Sequence, residues 1–174
     1  MKRPSSTRIL AALWGLVGFS ALLASAIVRL AEQAREAITQ GLGPLEWALL
    51  GAFCLFMAYS EGYRGFQQRF SPRFADRIIA VRDGHSLLEA LLAPLYAMGF
   101  FRATRRQMIT TYALTALILA FIFLFRIIPQ PWRGVLDAGV VVGLVWGLIA
   151  TWAWTVQRWR QPGSHLVGDT APSS

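Results

Sequence analysis

The chain has one cysteine, two histidines and, among seventeen basic residues, a single lysine. Cys54 has no partner for an intrachain disulfide. His85 and His165 stand far apart and outside every apolar run, which argues against a haem ligated between membrane helices. No glycine-rich phosphate loop, zinc spacing or pair of carboxylates inside an apolar run occurs, so no cofactor and no metal is expected. Charged residues are scarce at 15%, whereas 55% of the chain is hydrophobic and the mean hydropathy is +0.46, high for a soluble domain.

The net charge of +8 and a pI near 11 would by themselves suggest nucleic acid. The arginines, however, alternate with apolar runs, the pattern of a polytopic membrane protein, and nucleic acid is not an expected partner. Crossing the hydrocarbon core takes about 20 mostly apolar residues. Four stretches qualify: 9–28, 45–60, 109–128 and 138–156. A fifth, 87–101, is shorter and contains Glu89 and Pro94, and suits an interfacial or re-entrant helix.

With four spans and both termini inside, thirteen basic and five acidic residues fall inside, and four of each fall outside. Letting 87–101 span would weaken the basic split to ten against seven, so the positive-inside rule favours four. Trp47 and Trp132 fall near the outer boundary and Trp152, Trp154 and Trp159 near the inner one, as interfacial belts do. Residues 1–26 also resemble a cleavable signal peptide, with a basic start, an apolar core and Ala24-Ser25-Ala26. Cleavage would leave three spans with the same orientation.

The expected fold is thus an all-α integral membrane protein: four transmembrane helices in two hairpins, plus short cytoplasmic interfacial helices. One membrane domain covers 1–161, and the polar tail 162–174 is expected to be disordered. The two hairpins share an outline that could be a faint internal repeat. Size, short loops and arginine usage point to a bacterial inner membrane.

The most distinctive segment is 60–77, "SEGYRGFQQRFSPRFADR". Tyr63, Phe66, Phe70 and Phe74 form one aromatic stripe at helical spacing, accompanied by Arg64, Arg69, Arg73 and Arg77. Pro72 is expected to break the helix, with Ser71 capping a new one over about 72–82. Ser86 and Glu89 have the spacing of a capping box opening 87–101. The segment is therefore expected to lie along the inner headgroup layer, phenylalanines in the acyl boundary and arginines on phosphates. Glu61, Tyr63 and Arg64 form the corner to inspect for a specific site. Glu61 could bind or protonate a ligand, or simply pair with Arg64.

Glu89 and His85 could titrate, but capping and an exposed turn explain them as well. Arg126 and Asp137 flank the outer turn and could pair. Gly139, Gly143 and Gly147 form a small-residue stripe, continued by Thr151, that lets another backbone approach, in this chain or a second copy.

The leading functional expectation is a non-catalytic scaffold or accessory protein whose strip contacts anionic lipid or a partner protein. The alternative is a subunit of an oligomeric transporter or channel, and the third reading is a membrane enzyme acting on a lipid headgroup through Glu61 or His85. No ionisable residue falls at the centre of any expected span, which weighs against the second.

Overall fold

The computed structural model describes residues 6–83 and 127–160, which are helical apart from short turns and contain no strand. Helix α1 spans Ser6–Gln40. It runs well past the apolar span 9–28, into the helix-friendly residues that follow, because 29–40 contain no glycine or proline to stop it. Glu32 and Arg35, three apart, pair at 2.6 Å on its exposed face. Gly41, at φ +91°, ends the helix in the left-handed conformation, its N–H bonding the carbonyl of Ile38 at 3.2 Å.

Helix α2, Pro44–Met57, starts three residues after α1 ends. Pro44 occupies the first turn, and the Glu46 carboxylate accepts the N–H of Gly43. The chain then continues without a break through a π-helix, Ala58–Phe70, into helix α3, Ser71–Asp83. Helix α4 covers Trp132–Arg160. Its first turn is held by the Gln130 side chain, which accepts from the Gly134 N–H at 3.1 Å.

Side-chain contacts fix the directions of these elements. Gly134, near the start of α4, lies against Ala37 near the end of α1. Farther along, the Trp152 indole donates to Ser20 Oγ at 3.0 Å. Helices α1 and α4 are therefore antiparallel. The α2–π–α3 helix runs parallel to α4: Phe53 packs over Gly139, Phe66 over Gly147, Ser71 meets Thr151 at 3.0 Å, and Asp76 meets Arg158 at 3.1 Å. Residues 6 and 160 consequently lie at the same end of the bundle. Helices α1 and α4 are both long and apolar enough to cross a membrane.

In this arrangement the apolar stretches 9–28 and 45–60 do not stand at the same level. The turn at 41–43 sits at the far end of a helix that outruns its apolar part by twelve residues. The apolar α2 is therefore level with the polar end of α1, and the polar strip is level with the apolar half of α1. Phe19, at the middle of 9–28, packs against Phe70 and Phe74 with ring centroids 5.3 and 4.6 Å apart. Gly147, at the middle of 138–156, packs against Phe66. The centre of the strip is thus level with the centres of both long apolar helices.

Two expectations change. Pro72 does not break the helix, and Ser71 is no cap. Ser71 is helical at φ −61° and ψ −40°, and its N–H reaches five residues back to the Phe66 carbonyl. The helix expected over 72–82 forms as α3, but its apolar face is packed, not spread on a surface. Phe74, Ile78 and Val81 are buried with Ala11, Ala12, Leu16 and Phe19 of α1. Residues 87–101, the tail 162–174 and all of 109–128 except its last two residues lie outside the described residues.

Candidate functional site

The π register explains how the strip is held. Counting five back from Pro72 reaches Gln67, whose carbonyl would receive the N–H that proline lacks. Trp154 of α4 supplies the missing donor, its indole Nε1 lying 3.1 Å from that oxygen. Trp146, two turns earlier on α4, donates to the Gln67 side-chain oxygen at 2.8 Å. Two tryptophans of one helix therefore clamp a single glutamine of another. Such substitution is how a helix irregularity is tolerated where water is scarce. The sequence signalled Trp154 only as an interfacial belt residue, placed Trp146 at mid-span, and did not signal Gln67 at all.

Small residues bring the helices close enough for this clamp. Gly139, Gly143 and Gly147 face Phe53, the aliphatic stem of Glu61 and Phe66 of the same chain. Gly62 is buried in turn beneath Trp146. The stripe thus packs within the protomer. Replacing Gly147 with leucine should drive the Phe66 ring out and destabilise the protein by about 1–3 kcal/mol. Gly51, with open space around it, should accept leucine with little change. Equal thermal midpoints for the two variants in detergent would refute this packing.

The strip's own residues divide into two sets. Phe74 is buried, and Phe66 and Phe70 are half-buried against the bundle. Turning inward, they give α1 and α4 apolar partners, and so are unavailable as insertion groups. Arg64, Arg69 and Arg73 are exposed. Arg64 and Arg69 are five apart, one turn in the π register, and Arg73 follows four later, one turn in the α register, so the three share one outward line. No ion pair joins any of them to another described residue. Arg77 is half-buried and engaged. Toward α2, Tyr59 and Tyr63 stack at 6.0 Å and stay exposed.

Glu61 is exposed, with its stem over Gly143 near the middle of α4. It makes no ion pair with Arg64. Asp137 pairs with Arg133 at 3.7 Å, and Arg126 lies outside the described residues, as do His85 and Glu89. A corner uniting Glu61, Tyr63 and Arg64 with His85 therefore has no counterpart among the described residues. Arg158, beside Asp76, also stacks over Trp154 at 5.6 Å, and Arg82 lies over Trp159 at 5.1 Å. These contacts lock the α3 end of the strip to α4. Cys54 is free and half-buried. Among the described residues no group of three His, Cys, Asp or Glu side chains could hold a metal.

What the strip can do chemically follows from this division. Its aromatic side is structural. Its outward side offers guanidiniums, which present fixed donor forks suited to phosphate oxygens. No family model matches the chain, and neither any curated protein nor any solved structure matches it.

Proposed function

We propose that this chain is a multi-pass membrane protein without catalytic activity that holds anionic lipid through the phosphate of the headgroup. The supporting observation is the line of three exposed arginines, Arg64, Arg69 and Arg73, on a helix whose aromatic side is consumed by packing. Accessory or scaffolding roles suit such a surface, because no acid–base pair stands beside it among the described residues. The topology proposed with it keeps four crossings and both termini cytoplasmic, in a bacterial inner membrane. The second crossing, however, uses the strip rather than 45–60. Removing Arg64, Arg69 and Arg73 from the inner tally leaves ten basic residues inside against four outside, a smaller asymmetry of the same sign.

The test is a thermal-shift series on the purified full chain in neutral detergent. Phosphatidylglycerol should raise the unfolding midpoint more than phosphatidylcholine, and inorganic phosphate should do little. Salt should shrink the difference by screening. The triple variant Arg64→Gln, Arg69→Gln, Arg73→Gln should lose the preference. Equal shifts with both lipids would remove the reading, and a full shift with phosphate alone would replace lipid with a free anion.

A transporter or channel subunit is the second reading. It is favoured by Glu61 and the arginines standing level with the apolar centres of α1 and α4, since ionisable groups at that depth commonly line a pathway.

A further inference from the structure

We infer that the outward face of the π–α3 strip is a track along which anionic phospholipid headgroups cross between leaflets. The inference rests on the lipid-binding reading and adds movement to it.

The argument begins with depth. Ser71 is hydrogen-bonded to Thr151, and Phe70 and Phe74 cover Phe19, so the strip is level with the middle of both helices able to span a membrane. On those helices the large exposed side chains at about this height are apolar: Val17, Leu22, Val145, Ile149 and Trp152. On the strip, at the same height, Arg64, Gln68, Arg69 and Arg73 are exposed. Among the described residues, the strip therefore carries polar groups outward where α1 and α4 match hydrocarbon.

Position is what turns a binding face into a path. The barrier to lipid exchange is taking the charged headgroup through a hydrocarbon layer about 30 Å thick. The exposed line from Arg64 to Arg73 covers about 13 Å of helix, the central part of that thickness, where the barrier is highest. Exposed guanidiniums recur at every turn, so a phosphate leaving one meets the next within a single turn, while the acyl chains stay in lipid beside α1 and α4. The clamp on Gln67 and the aromatic packing keep the face rigid and outward. A line of separate weak sites, in place of one deep one, is also what movement needs, because the headgroup must be released as readily as it is taken.

The experiment reconstitutes the full chain into vesicles containing trace fluorescent phosphatidylglycerol or phosphatidylcholine, and adds dithionite outside. Empty vesicles lose the outer-leaflet half of the signal. With the protein, nearly all the phosphatidylglycerol signal should be lost, faster than for phosphatidylcholine. The triple arginine-to-glutamine variant should slow this by at least about tenfold. Arginine-to-lysine variants, keeping the charge, should retain most of it. Folding of each variant is checked by the disulfide expected between Ser71→Cys and Thr151→Cys in a Cys54→Ala background, since that pair is in contact.

Loss of only the outer half, in a protein that still shows the lipid-dependent thermal shift, overturns the track and leaves the binding reading intact. If the shift is absent too, both fall. Bleaching of a soluble dye trapped in the same vesicles would mean a pore, and would overturn the track in favour of the transporter or channel reading.

Discussion

Replacing Phe74 with alanine should destabilise the protein by about 3 kcal/mol, the usual effect of emptying a packed aromatic site. Phe74 is 1% exposed and lies between Phe19 and Phe70, with centroids 4.6 and 5.6 Å away. The cavity opens where α1, α3 and the end of the π-helix meet, so nearby side chains can collapse only if the helices shift. Arg73→Gln, one residue earlier on the exposed side, should change stability by less than about 0.5 kcal/mol. Unfolding followed in detergent separates the two. If Phe74 were instead an insertion group on the headgroup layer, Phe74→Ala would leave stability untouched and weaken only membrane affinity, and that result would overturn the packing described here.

The second large effect is expected at the opposite end of the bundle. Asp137 is 2% exposed, and its Oδ2 has no hydrogen-bond partner. Among the described residues its ion-pair partner is the Arg133 guanidinium, at 3.7 Å. Arg133→Ala would leave a buried carboxylate with no counter-charge, an arrangement that typically costs about 3–5 kcal/mol. Here about 2–3 kcal/mol is expected, because Arg133 is itself one-third exposed and part of its attraction is screened. Adding Asp137→Asn should recover most of the loss, since the amide carries no charge to strand. Asp137→Asn alone should be close to neutral. A double-mutant cycle measured by chemical denaturation decides this. Additive single effects would mean that the two side chains do not interact.

Several features of the fold were legible in the chain itself. The all-helical class follows from the long apolar runs, the lengths of α1 and α4 suit a bilayer, and the glycine stripe of α4 forecast a close helix contact. The stop at Gly41 and the start at Pro44 follow from glycine and proline chemistry alone. The aromatic periodicity of 63–74 was equally plain. These are local properties, carried by spacing, residue size and backbone preference.

What the chain could not disclose is which way each stripe faces and how deep it sits. An apolar stripe flanked by arginines satisfies a headgroup layer and the inside of a bundle equally well, and the choice depends on whether another helix offers a matching surface. Phe19, fifty-one residues before Phe70, and Gly147, eighty-one residues after Phe66, provide it. Partners so distant leave no trace in local periodicity.

Depth was decided by where the first turn falls. Because α1 continues to Gln40 before turning, α2 begins beyond the apolar half of α1, and the strip is carried back beside it. The π register has the same kind of origin. Pro72 announces only that a donor is missing. That the helix continues across the gap depends on Trp154 and Trp146 reaching Gln67 from α4, and a hydrogen bond between residues more than seventy positions apart exists only once the helices have packed.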